Sequence, residues 1–400
     1  MHHDHATAPS PRALREEVFT DLLTEAREGA ARRERERELP VDLVRRLTAA
    51  GFGTAHVPAA AGGEGAPLET LFERLVRLAR ADCNVAHVFR GHLAFVEKQY
   101  FEPDPAVRER WWRRVLDGQL VGNAVSESSD TSDLSTVLTE TPDGLRLDGR
   151  KFYTTGSIYA DWIDTSAAFG DVSVQVFVPT SAPGVQVADD WKGFGQRLTG
   201  SGTTTFTQVP VQREHVRTID PDDDAQTYML GFFQLVLLAV AAGVAHAALD
   251  DTVEFVRGRR RIFGYAGQVA PREHHLVQAV VGRLSSSASA ARGLVLSCAR
   301  TLDGALTAHL ADAEGAAEGL RHAQLEVFRA QQVVLPLVVD ATAELFEVGG
   351  ASAVDAERGL DRHWRNARTI ASHNPAVHRC RAIGDFELNG TATRRYLPAG

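Results

Sequence analysis

Residues 230–249 read LGFFQLVLLAVAAGVAHAAL, twenty consecutive positions without a charge. Such a run is long enough to cross a bilayer, but it is also what the central helix of a large helical core looks like. Two features favour the core. Gln234 and His246 interrupt the run, and it lies in the middle of a 400-residue chain with 44% hydrophobic content, enough to surround it. A helix apolar on every side needs partners on every side. The chain is therefore expected to be a bundle around 230–249, with no membrane partner.

Charge and cysteine content narrow the function. The 52 acidic side chains exceed the 43 basic ones and no basic block occurs, which argues against nucleic acid. Cys83, Cys298 and Cys380 are too few and too scattered for a disulfide framework or a zinc cluster, and they fit free thiols in a reducing cytosol. Residues 1–11 lack the charged-then-apolar order of a signal peptide and read as a disordered tail. A cytoplasmic, soluble protein is expected.

Pattern changes divide the rest into three. Residues 12–119 are helical, with Leu14, Val18, Leu22 and Ala26 forming one stripe and Gly51 ending the helix that follows Pro40. Residues 120–220 alternate short β-rich runs with Gly, Asp and Pro turns, and Pro210 confines its strand to an edge or an end. Residues 221–400 return to helix, with apolar spacing of three and four over 272–302 and 320–346. The glycine-rich HVPAAAGGEGAP has neither the Lys-Ser/Thr of a P-loop nor Rossmann spacing, so it reads as a connector. His87 and His92 are five apart, about 140° around one helix, and His322 and Glu326 lack a third ligand, so no metal site is expected.

The densest chemistry lies at 361–375, DRHWRNARTIASHNP, where Pro375 stops a helix and leaves His373 and Asn374 at its exit. On its own this is a helix whose arginines make ion pairs. Taken with NAVSESSDTSD (123–133), LDGRKFYTTGSIYADW (147–162) and RRIFG (260–264), it resembles the acyl-CoA dehydrogenase superfamily. More narrowly it is similar to the class D, two-component flavin monooxygenases typified by dibenzothiophene monooxygenase. The motifs are individually degenerate, but their order holds from about residue 15 to 390.

The resemblance implies a mainly helical α+β fold: an N-terminal helical domain, a central β-barrel and a C-terminal four-helix bundle, assembled as a homotetramer. Matched residue by residue, His373, His87, Thr155 and His92 are the catalytic candidates. Asn123, Ala124, Ser126, Thr154, Thr155 and His373 are expected around the flavin, with Thr154 and Thr155 on a strand. Glu127 and the pair Ser132 and Asp133 also match the flavin-loop signature. Residues 197–203 match a linker strand, and Ser352 stands where some relatives place a phosphate-binding arginine. Arg260, with Phe263 beside it, is expected to reach a neighbouring subunit's flavin phosphate, a task suited to a guanidinium fork.

The dehydrogenases need a carboxylate to remove an α-proton. The two places that can supply it hold His373 with Asn374, and Gln234. The expected activity is accordingly oxygenation of a small organic substrate (at S, N or aromatic C) through a C4a-(hydro)peroxyflavin, using O2 and FMNH2 supplied by a separate flavin reductase. The lack of an NAD(P)H fingerprint agrees with this. An FAD-dependent acyl-CoA dehydrogenase-like enzyme and a non-catalytic flavin- or acyl-CoA-binding scaffold stand as alternatives.

Overall fold

The computed structural model describes residues 13–127, 135–220, 223–260 and 269–391. Six helices come first: α1 (Glu16–Glu36), α2 (Val41–Ala49), α3 (Leu68–Ala81), α4 (Cys83–Val88), α5 (Arg90–Lys98) and α6 (Pro105–Leu116). Eight strands follow: β1 (Val121–Ala124), β2 (Val137–Thr141), β3 (Gly144–Lys151), β4 (Trp162–Phe169), β5 (Val172–Pro179), β6 (Val185–Val187), β7 (Thr204–Val211) and β8 (Val216–Thr218). The chain then returns to helix with α7 (Asp224–Gly258), α8 (His275–Leu310), α9 (Ala316–Glu344), α10 (Asp361–His373) and α11 (Ala376–Asn389). The molecule is mostly helical around a central mixed sheet.

The apolar run forms the middle of α7, which packs against α3, α8 and α9 and shares one core with side chains from α1 to α5. The most apolar stretch of α7 is 83% buried inside the protein, which accounts for its hydropathy without a bilayer. Its buried Gln234 is satisfied there, receiving hydrogen bonds from Asn374 Nδ2 (3.0 Å) and from Arg379.

The sheet runs β6-β7-β3-β2-β4-β5-β8, with β1 pairing parallel to β4. Leu138, Leu147, Ile163, Val176, Phe206 and Val209 fill its own core. Pro210 lies near the end of β7, where β6 no longer reaches, so its missing N–H costs no ladder bond on that side. Two local expectations are corrected. Thr154 and Thr155 lie not on a strand but in a turn just past β3, because Tyr153 takes a left-handed φ of 58° and redirects the chain. Residues 197–203 form a loop, not a strand, since their backbone groups are spent on turn contacts such as Gly156 N to Thr199 O and Thr154 N to Gly202 O.

One buried polar network ties the N-terminal helices to the bundle. Glu97 on α5 is wholly buried, binds His56 Nδ1 through Oε1 (2.7 Å) and accepts the Tyr228 hydroxyl through Oε2 (2.7 Å). Burial opposes a charge on His56, but Glu97 and then Asp303 outweigh it and lift the imidazole to about 10. A raised imidazole pKa stabilises the fold fully below the unfolded value of about 6.5, and that contribution fades as pH climbs through about 10. His56→Gln should therefore cost about 3–5 kcal/mol at pH 6 by leaving Glu97 uncompensated. The gap from the unmodified protein should shrink steadily toward pH 10 in urea unfolding, and a pH-independent gap would contradict the ion pair.

Candidate active site

Asp82 sets the position of the first site residue. Its extended backbone breaks α3 from α4, and its carboxylate caps α4 by accepting from the N–H groups of Asn84 and Val85 while pairing with Arg33 (2.8 Å). The short helix so restarted buries His87 and aims it at a cavity of about 450 Å³ between the sheet's loops and α10. That volume suits a small-molecule site.

The opposite wall belongs to α10, whose buried stripe of His363, Asn366, Ala367 and Ile370 anchors the 361–375 motif. His363 binds Asp251 (2.8 Å), and Arg365 joins Asp361, Glu34 and the carbonyl of Phe194. Gly195 passes so close to α10 that a Cβ there would lie 2.1 Å from the Arg365 carbonyl. This approach stacks Phe194 on Trp364 at 5.9 Å and 9°. Asn366 Oδ1 accepts the backbone N–H of Gln196 (2.5 Å).

Gln196 then reaches His87. Its Oε1 lies 2.8 Å from His87 Nδ1, while its Nε2 donates to Cys83 Sγ (3.4 Å). An amide oxygen can only accept, so His87 carries its proton on Nδ1 and presents a bare Nε2. That Nε2 is buried without a hydrogen-bond partner among the described residues. Burial, reinforced by the Arg90 guanidinium, pushes His87 down to about 4. His373 ends α10 with its ring centre 6.1 Å from that of His87. Although part of the residue is open to solvent, surrounding protein, then Arg90 and His87, hold its imidazole well below the ordinary value.

A chain of hydroxyls completes the site. Thr199 Oγ1 donates to the Gln196 carbonyl (2.9 Å) and lies 2.7 Å from Ser201 Oγ, which lies 2.7 Å from Thr155 Oγ1. Each hydroxyl has one proton. With Thr199 committed to the buried carbonyl, Ser201 donates to Thr199 and Thr155 to Ser201, so Thr155 turns its lone pairs to the cavity.

The cavity thus brings together four of the expected residues: His87, Ser126, Thr155 and His373. Others stand behind its wall. Thr154 Oγ1 donates to Gly202 O (3.1 Å). Asn123 and Ala124 lie on β1, where Asn123 N approaches Thr155 O (3.5 Å). His92 faces the other way, its Nδ1 accepting from Val121 N–H (3.2 Å) and its ring filling the space beside Gly53. The break at Phe89 puts His87 and His92 on separate short helices, so single-helix geometry does not apply to them. Arg260 is exposed beyond the end of α7 and lines no part of this cavity. Phe263, Ser132 and Asp133 lie outside the described residues.

Tyr153, Trp191, Phe194, Gln196 and Ser201 also line the cavity without having been expected there. For Trp191 and Phe194 the signal was the WKGFGQ stretch, two aromatics among glycines in an otherwise polar loop. Glu127 anchors the loop at the cavity edge. It pairs with the fully buried Lys151 and accepts from Ser135 N (2.6 Å), Ser135 Oγ (2.7 Å) and Thr136 N (3.1 Å).

Family models place the chain. The acyl-CoA dehydrogenase N-terminal domain matches residues 9–119 and the acyl-CoA dehydrogenase C-terminal domain matches 235–377. The chain belongs to the acyl-CoA dehydrogenase superfamily. Within it, this member is similar to the dibenzothiophene monooxygenase of Mycolicibacterium goodii, 28% identical over 365 residues that cover 86% of each chain. It is also similar to the probable FMNH2-dependent monooxygenase SfnC of Pseudomonas putida, 26% identical over 351 residues covering 86% of this chain and 87% of the other. The dibenzothiophene monooxygenase TdsC from Paenibacillus sp. A11-2, solved with FMN and indole, superposes with a TM-score of 0.86 at 25% identity, covering 95% of this chain and 98% of that one.

The acyl-CoA dehydrogenase frame thus holds a neutral imidazole of defined tautomer at position 87. Histidine-selective ¹⁵N NMR should show His87 as the Nδ1–H form with a midpoint near 4, and Gln196→Leu should mix the tautomers. An ordinary midpoint near 6.5, or an Nε2–H form in the unmodified protein, would contradict this geometry.

Proposed function

We propose that this chain is a two-component monooxygenase that uses FMNH2 and O2 to oxygenate a small organic substrate. The observation that carries the reading is the cavity's set of polar groups: two neutral imidazoles and a hydroxyl relay, with no carboxylate among the described residues that line it. Abstraction of an α-proton from a thioester lacks its base here, since Asn374 and Gln234 hydrogen-bond each other where a carboxylate would stand. Relatives named for FMNH2-dependent or dibenzothiophene oxygenation, and one solved with FMN, support the same reading.

The residues present fit a flat, hydrogen-bonding ring. Trp191 and Tyr153 pack edge to face at 5.8 Å on one side, with Ser126, Thr155 and the bare His87 Nε2 supplying polar contacts. The cofactor is FMN, and when bound in reduced form it supplies the electrons that activate O2. Thr155, presenting lone pairs, would accept a hydrogen bond from a ring N–H of the reduced flavin. His87, bare at Nε2, would accept a proton, and His373, neutral at pH 7, would exchange one with the reacting oxygen. The aromatic walls exclude water. His92 positions β1 through Val121, and Asn123, Ala124 and Thr154 hold the turns from which Ser126 and Thr155 project.

Several finer features belong to the same proposal. The sheet closes as the family's barrel over 120–220, between a helical domain at 12–119 and a four-helix bundle within 221–400. Four copies assemble, so that Arg260 reaches a neighbour's flavin phosphate. A separate flavin reductase supplies FMNH2 in the cytoplasm.

His373→Ala separates a catalytic from a structural histidine. The variant should still bind FMN and consume O2, but product should fall by about 10²–10⁴, with the missing oxygen released as H2O2. A variant that melts early yet keeps the original ratio of peroxide to product would remove His373 from the chemistry.

A further inference from the structure

Two arginines lie one layer behind the histidine end of the cavity, and neither has a counter-ion among the described residues. Arg90 opens α5 one turn beyond His87 and is only 8% exposed. Its Nε donates to the Phe233 carbonyl (3.3 Å), and its guanidinium lies 4.7 Å over the Phe233 ring centre. Arg379, on α11, donates to Oε1 of Gln234 and to Oε1 of Gln331 (2.7 Å), and lies 4.3 Å over Phe328. All of these partners are neutral. Among the described residues no carboxylate stands within ion-pair distance of either.

Cations at comparable depth are treated differently elsewhere in the molecule. Arg33 faces Asp82 at 2.8 Å, Lys98 faces Asp164 at 2.7 Å, Arg217 faces Glu102 at 2.7 Å and Lys151 faces Glu127. Burying an unpaired cation such as Arg90 is strongly unfavourable, and the half-buried Arg379 that repels it makes this worse. Burial, then the charge of Arg379, pulls Arg90 down to about 10, so both remain cations at neutral pH. Such a pair is stabilised by an anion held close by.

Gln234 connects the pair to the cavity. Its Oε1 accepts from Arg379 and also from Nδ2 of Asn374, which lines the cavity beside His373. We propose that Arg90 and Arg379, acting across the Asn374–Gln234 wall, draw the charged end of the organic substrate, a carboxylate, to that end of the cavity. The oxidisable atom is then left between His87 and His373. The substrate class is a small organic anion, an assignment that rests on the monooxygenase reading for the word substrate but not for the binding site.

Benzoate and benzamide test it, since they share a shape and differ in charge. Titrations of the flavin-free protein are followed by the fluorescence of Trp191, which lines the cavity, and of Trp364, which stacks on the cavity residue Phe194. Benzoate should bind at least tenfold tighter than benzamide, and combining Arg90→Met with Arg379→Gln should level the two. Equal affinities in the unmodified protein, or a preference that survives the double substitution, overturns the proposal. Inorganic phosphate binding as tightly as benzoate also overturns it. FMN affinity of the double variant should stay within twofold, and its loss would assign the charge to the flavin phosphate instead. Should the double variant not fold, melting of the unmodified protein decides: benzoate must raise Tm more than benzamide at equal concentration, and equal shifts refute the site. No turnover enters these measurements, so the anion site and the oxygenase activity can each fail alone.

Discussion

Gln196 is the point on which the site depends. Its backbone N–H is held by Asn366 of α10, and its carbonyl takes the terminal proton of the hydroxyl relay. Its side chain joins His87 and Cys83 of α4. It does this from a left-handed backbone (φ 52°), which a non-glycine residue keeps only where surrounding contacts demand it. One residue thereby fixes the spacing between α4 and α10, the tautomer of His87 and the direction in which Thr155 offers its oxygen. Loosening any of these would disturb the other two.

Electrostatics follow from that arrangement. Among the described residues the cavity wall carries no carboxylate, burial and Arg90 hold His87 well below its ordinary value, His373 is shifted the same way by the protein around it and by Arg90, and the arginines behind the wall keep company with amides, carbonyls and ring faces. A site of this kind favours anions and can exchange a proton with a neutral base at physiological pH. It is poorly equipped to pull a proton from carbon. The same superfamily scaffold can host either chemistry, and here the side chains at 234, 373 and 374 separate them.

The sequence was most legible where periodicity and order carried the information. The apolar run 230–249 announced the core helix, and the shifts near 120 and 220 marked the β region between helices. Histidines 87 and 373 were singled out through motif order, and both line one cavity. What could not be read was the work of long-range contacts. Tyr153 turns the chain out of β3, so Thr154 and Thr155 left the expected strand and point to different places. A helix break at Phe89 separated His87 from His92. Gln196 and Ser201 carry no signature of their own, because their roles arise from partners 109 and 46 residues away. The arginines of 361–375 proved to be largely ion-paired, as a plain reading of that helix would have it, and Asn366 holds Gln196 while His373 and Asn374 line the cavity.

The central claim is that molecular oxygen, activated at reduced FMN, ends in the product. It is tested most directly by single turnover of the FMN-loaded, dithionite-reduced protein with ¹⁸O2 and a panel of small organic anions and neutral heteroaromatics, followed by mass spectrometry. The account predicts one ¹⁸O atom in the product and the second in water, only when the flavin is reduced. Consumption of all O2 as peroxide across the panel, or oxidation of an acyl-CoA with an artificial electron acceptor in the absence of O2, would contradict it.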